Sequence, residues 1–109
     1  MKILTPQPPK DLSTAARRLF RGLQSEYSIV DVAGLALLTD ACRFFDRREQ
    51  ARETIRLEGA TVKDRFEQTV AHPSIRIERD AAASMRASFK ALNLDITPLN
   101  DKPGRPPGR

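Results

Sequence analysis

A single histidine, His72, and a single cysteine, Cys42, are all that the 109-residue chain offers toward imidazole or thiol chemistry. Hydrolytic or redox catalysis needs a positioned acid, base or nucleophile, or a metal held by several convergent ligands. Neither residue has that company in the sequence. His72 abuts Pro73 at the start of a helical pattern, where its expected role is to cap or to pack. Cys42 lies inside an apolar helical run, the setting of a buried, inert thiol, and being single it cannot form an intrachain disulfide. Asp40 and Asp46 sit on one long helix without an acid and base pairing. No glycine-rich loop leads into Lys and Ser or Thr, so nucleotide triphosphate hydrolysis is not expected. The expectation is therefore a protein that is not an enzyme, with no catalytic residue, no metal site and no cofactor.

The other chemistry available is cationic. Nineteen Lys plus Arg against fourteen Asp plus Glu leave a net charge of +5. Arginine supplies most of it, and its planar fork meets phosphate oxygens and guanine edges bidentately, so nucleic acid is the first acidic partner to consider. A charge of this size also suits ordinary colloidal stability. Three basic clusters stand out: Arg17, Arg18 and Arg21; Arg43, Arg47, Arg48, Arg52 and Arg56; and Lys102, Arg105 and Arg109. Asp46, Glu49 and Glu53 dilute the second, which reads equally well as a solvated helix with internal ion pairs. No acid interrupts the first, and the third suits a phosphate-seeking arm that contacts backbone rather than bases. The break SEYSIVD between the first two helices permits a helix-turn-helix turn but lacks its diagnostic glycine.

Three helices must carry these side chains. The opening MKILTPQPPKD, residues 1–11, is proline-rich and predicts an extended arm. Ser13 is a suitable N-cap, and Leu12, Ala16, Leu19, Leu23 and Tyr27 form one apolar stripe, predicting a helix from about Thr14 to Glu26. Asp31 opens a second pattern that runs to Gly59, a single helix of roughly 40 Å at 1.5 Å per residue. Its first half is apolar on most faces. Its second half is amphipathic at best, with the stripe Leu37, Ala41, Phe44, Arg48, Ala51 and Ile55 continuing into it. A second copy of the chain is the simplest cover for that half, and a solvated face laced with Glu and Arg pairs is the alternative. Thr61, Val62, Thr69 and Val70 flank Asp64 and Arg65 and predict a small β-hairpin. Pro73 then opens a third helix, with Ile75, Ala82, Met85, Phe89 and Leu92 as its stripe and Asn93 as a left-handed cap. Residues 96–109 hold prolines, glycines and basic residues and predict a flexible basic tail.

The fold class expected is thus mainly α, with three helices, one of them long and central, a hairpin between the second and third, and flexible proline-rich ends. One domain over residues 12–95 fits the length. A chain of this size buries roughly 65% of its unfolded surface, and a core this modest favours association with other copies. Ile55, Leu57, Val62 and Val70 are assigned to subunit contacts, because they carry apolar surface where the monomer covers it least. The absence of an apolar run of about 20 residues predicts no membrane span, and the opening residues lack a signal-peptide centre, so an intracellular protein is expected.

The order LSTAARRLFRGL, DVAGLALLTDACRFFDRREQA, LEGATV and AHPSIRIERDAAASMRASFKALNLDITP resembles the small terminase subunit of tailed bacteriophages, in the branch with a short helical domain. The resemblance covers about residues 6–98. Its most specific elements are the Asp31 to Phe45 run broken at Thr39 and Asp40, the Gly59 turn, the His72-Pro73 helix start, and Leu92-Asn93-Leu94 followed by Thr97-Pro98. The resemblance implies a non-catalytic DNA-packaging factor of the host cytoplasm that assembles into a homo-oligomeric ring. It also implies that the factor binds double-stranded viral DNA and presents it to a large terminase subunit carrying the ATPase and nuclease. The DNA-contacting residues on that reading are Arg17, Arg18, Arg21, Lys102, Arg105 and Arg109. A small helix-turn-helix-like transcription regulator is the alternative, distinguished by a small even oligomer on a short palindrome.

Overall fold

The computed structural model describes residues 5–94. Three helices and one hairpin follow in the order α1 (Thr14–Tyr27), α2 (Val32–Glu58), β1 (Thr61–Lys63), β2 (Thr69–Ala71) and α3 (Pro73–Ala91). The predicted elements are all present, within a residue or two of their expected bounds.

Local chemistry fixes each boundary. Ser13 starts α1: the Ala16 N–H donates to Ser13 Oγ at 3.0 Å, satisfying one of the helix's orphan donors. The helix stops where Ser28 turns left-handed and the Ile29 N–H returns to the Gln24 carbonyl at 3.1 Å. Asp31 caps α2 through the Gly34 N–H at 2.9 Å, and Gly59, at φ 92°, ends it in a conformation that other residues rarely adopt. His72 caps α3, with Pro73 at the first helical position. At the far end Asn93 is left-handed, the Leu94 N–H reaches the Phe89 carbonyl and the Asn93 N–H reaches that of Lys90, the paired bonds of a Schellman motif. The left-handed cap expected at Asn93 is therefore present.

The core lies where α1 crosses the first half of α2. Leu12, Ala16, Phe20, Ile29, Leu38 and Cys42 are buried together, with Leu19, Leu23, Tyr27, Leu35, Phe45, Leu92 and Leu94 packed around them. The deepest line runs from Leu12, just before α1, through Ala16, Phe20 and Gln24; it keeps Leu12 and Ala16 of the expected stripe, while Leu19, Leu23 and Tyr27 pack beside it. Gln24 is tolerated inside because its side-chain amide donates to the Ile29 carbonyl at 3.0 Å.

The distal half of α2 finds its partner within the chain, which corrects the expectation that a second copy covers it. After the hairpin α3 runs back antiparallel along α2. Its buried line is Ser74, Ala81, Met85 and Ser88, and α2, against which it packs, buries Ala41 and Ala51. Small side chains on both helices allow a close approach. Arg52 Nε donates to Glu78 at 2.6 Å across the pair.

The hairpin is antiparallel, with Val62 opposite Val70. Asp64 builds its turn, accepting the N–H groups of Phe66 at 2.8 Å and Gln68 at 3.0 Å on one carboxylate oxygen. At its base His72 Nδ1 accepts the Ser74 N–H at 3.0 Å, which leaves the proton on Nε2 to donate to Glu58 at 2.8 Å. That one side chain ties the end of α2 to the start of α3. Among the described residues no helix is long and apolar enough to cross a membrane.

Candidate nucleic-acid interface

Arg17, Arg18 and Arg21 project from one side of α1, within about a third of a turn of one another at 3.6 residues per turn. Arg18 and Arg21 are exposed and Arg17 is half-buried. None of the three forms an ion pair among the described residues. Their platform is rigid, because α1 is pinned to α2 at its N-cap: the Ser13 N–H and hydroxyl donate to the Asp46 carboxylate at 2.8 and 2.5 Å. Asp11 beside it pairs with Arg43. The Arg43 hydrogen bond holds the Asp11 carboxyl below its ordinary value, against a smaller opposing effect of lost solvation.

The second basic cluster is largely neutralised inside the molecule. Arg43 meets Asp11, Arg48 meets Glu49 at 3.1 Å, Arg52 meets Glu49 and Glu78, and Arg56 meets Glu53 at 2.6 Å. The Glu53 hydrogen bond raises the Arg56 pKa, and the same bond lowers that of Glu53. Arg48 also lies over the Phe45 ring, 5.2 Å from its centroid. Of this cluster only Arg47 is left without an acidic partner among the described residues. The solvated-face reading describes the distal half of α2, and the DNA reading does not gain from it. Lys102, Arg105 and Arg109 lie outside the described residues.

The residues expected at subunit contacts divide. Ile55 is half-buried, one turn beyond buried Ala51, and Val62 is half-buried in β1. Leu57, about 200° around α2 from Ile55, is 67% exposed, and Val70 is 37% exposed. The structure brings Val62 and Val70 together as a cross-strand pair and sets Ile55 and Leu57 on opposite sides of α2. Phe66 in the hairpin turn is also exposed, at 69%, with Arg65 stacked 5.1 Å from its ring centroid. Val30 and Val32 form a second exposed apolar pair where α2 begins. Sequence reading passed over Phe66 because a lone aromatic between charged residues has no periodicity to flag it.

No acid, base and nucleophile converge among these side chains. An open groove of about 320 Å³ between the segment preceding α1 and the middle of α2 is lined by Asp11, Leu12, Arg43, Phe44, Asp46, Arg47 and Gln50, and both carboxylates are already engaged. Burial pushes the Cys42 thiol up to about 12, so it carries no thiolate near neutrality. Among the described residues no group of three or more His, Cys, Asp or Glu could hold a metal ion.

Comparison with known families adds one finding. The family model described as phage terminase, small subunit, matches residues 16–98, which takes in α1 from its third residue, α2, the hairpin and α3. Neither the curated proteins nor the solved structures contain a match.

Proposed function

The chain belongs to the phage terminase small-subunit family, and from that premise we propose that it is the non-catalytic DNA-recognition component of a genome-packaging motor. It binds double-stranded viral DNA in the host cytoplasm, assembles with copies of itself into a ring, and delivers the DNA to the large subunit, whose ATPase and nuclease it regulates. The observation that carries the reading beyond family membership is the rigidly mounted, unpaired trio Arg17, Arg18 and Arg21 on α1. Arginines without internal acidic partners keep their hydrogen-bond forks available for phosphate oxygens. Lys102, Arg105 and Arg109 would add a second, arm-like contact to the backbone. A ring repeats a modest contact around one axis, so that avidity supplies affinity a single subunit lacks. Leu57, Val62 and Val70, with Ile55 behind them, are the apolar surface offered to the neighbouring copy.

The test replaces Arg17, Arg18 and Arg21 together with Glu and measures duplex binding by fluorescence anisotropy alongside solution mass by light scattering. Loss of duplex binding at an unchanged mass supports the reading, and unchanged binding removes α1 from it. A stable dimer in place of a larger ring, bound tightly to one short palindrome, would replace it with a transcription regulator.

A further inference from the structure

The outer face of α3 carries a second row of cations. Arg76, Arg79, Arg86 and Lys90 are all exposed, and with Ala83 they follow alternating steps of three and four residues, which places them along one line of the helix. The line points away from the buried row Ser74, Ala81, Met85 and Ser88, hence away from α2. It spans about 21 Å at 1.5 Å per residue. No ion pair among the described residues involves any of the four. Of the two acids on α3, Glu78 is drawn to Arg52, and Asp80 sits about a quarter turn off the line without pairing to Arg76.

The contrast with α2 makes this row informative. There, Glu49 and Glu53 are interleaved with the arginines and neutralise them within the molecule. On α3 like charges stand three and four residues apart, at Arg76 and Arg79 and again at Arg86 and Lys90, an arrangement that costs helix stability unless an external anion accepts it. The face also lacks the anchors of a protein interface. The exposed large apolar side chains, Val30, Val32, Leu57, Phe66 and Val70, all lie off α3, and the small Ala83 and Ala87 border the cations instead. A narrow, regularly charged strip flanked by alanines can lie close against a phosphate ridge, where charges recur every 3.4 Å per strand.

We propose that the outer face of α3 is a DNA-backbone contact in its own right, in which Arg76, Arg79, Arg86 and Lys90 pair with phosphates of one duplex independently of sequence. The inference rests on the DNA-binding reading above and assigns it a site on a different helix from Arg17, Arg18 and Arg21. Asp80, beside the strip, weakens the contact and is the position at which removing a charge strengthens it.

The full chain is titrated against a fluorescein-labelled mixed-sequence duplex at several salt concentrations between roughly 50 and 200 mM, and its solution mass is followed in parallel. The combined variant Arg76→Gln, Arg79→Gln, Arg86→Gln, Lys90→Gln binds at least about tenfold more weakly, and the slope of log affinity against log salt shrinks by roughly 2–4. Its mass is unchanged. Asp80→Asn binds more tightly than the unmodified chain, a gain that misfolding cannot imitate. Unchanged affinity and slope in the Gln variant, with binding lost in the Arg17, Arg18 and Arg21 variant, overturns the α3 site and leaves the DNA reading standing. Absence of salt-dependent binding by the unmodified chain overturns both. Unchanged duplex binding with lost capture of the large terminase subunit overturns the site in favour of a protein contact.

Discussion

Asp46, halfway along α2, accepts both the backbone N–H and the hydroxyl of Ser13, thirty-three residues earlier in the sequence. Ser13 is at the same time the N-cap of α1, so one carboxylate orients the residue that starts the first helix and fixes that helix to the second. Replacing Asp46 with Ala removes two charge-assisted bonds at a partly exposed site and should cost about 1–2 kcal/mol. Urea unfolding at fixed protein concentration checks this through a lower midpoint with an unchanged slope. If the midpoint does not move, the latch does not position α1.

Asp11 and Arg43 form a second, more exposed link beside it. The Arg43 hydrogen bond lowers the Asp11 pKa in the folded chain. A carboxyl held down in this way contributes stability above its unfolded value and loses that contribution as pH falls through the folded one. The exposure of both groups keeps the contribution small. In Arg43→Met the Asp11 carboxyl should titrate upward, toward the ordinary carboxylate range, when followed by carbon-detected NMR. A titration that stays depressed would assign the effect to another group.

Gly22 and Gly34 are both helical glycines and should respond differently to alanine. A Cβ at Gly22 meets nothing within 4 Å, so Gly22→Ala should gain about 1 kcal/mol from helix propensity alone. At Gly34 the same atom would lie 2.6 Å from Asp31 Oδ1 and 3.0 Å from Ile29 Cγ2. Asp31 is the cap of α2 and is bonded to Gly34's own N–H, so displacing it cancels the gain. Thermal unfolding of the two variants beside the unmodified chain decides the matter: Gly22→Ala melts higher and Gly34→Ala does not.

The helices were legible because their caps are local. Ser13, Asp31, Gly59, Pro73 and Asn93 each mark a boundary within one turn of themselves, and all five appear where the pattern puts them. The packing of α3 was less legible. Its inward line is Ser74, Ala81, Met85 and Ser88, and small or polar residues register weakly in an apolar pattern even when they permit two helices to approach closely. For the same reason the distal half of α2 read as uncovered. Gln24 was invisible as a core residue because its burial depends on a carbonyl that only the α1 turn brings to it. Charge counting found the arginines but not their partners. That Arg52 belongs to Glu78 and Arg43 to Asp11 follows from the antiparallel return of α3 and the crossing of α1.

Of the exposed large apolar side chains among the described residues, Leu57, Phe66 and Val70 are those the proposed assembly would use, and Val30 and Val32 are the others. Ile55 and Val62 are half-buried within the subunit, so changing them disturbs folding and assembly together. Leu57 separates the two. At 67% exposure its replacement by Asp should leave the subunit's own stability within about 0.5 kcal/mol, while placing a charge where a copy must desolvate it. Light scattering over a range of concentrations should show Leu57→Asp at a lower mass than the unmodified chain, with unchanged helical content by circular dichroism. Val70→Asp should act in the same direction if the hairpin and the end of α2 belong to one contact surface. Unchanged mass in both variants would move the assembly surface away from this end of the molecule, toward Val30 and Val32, where the other exposed apolar pair lies.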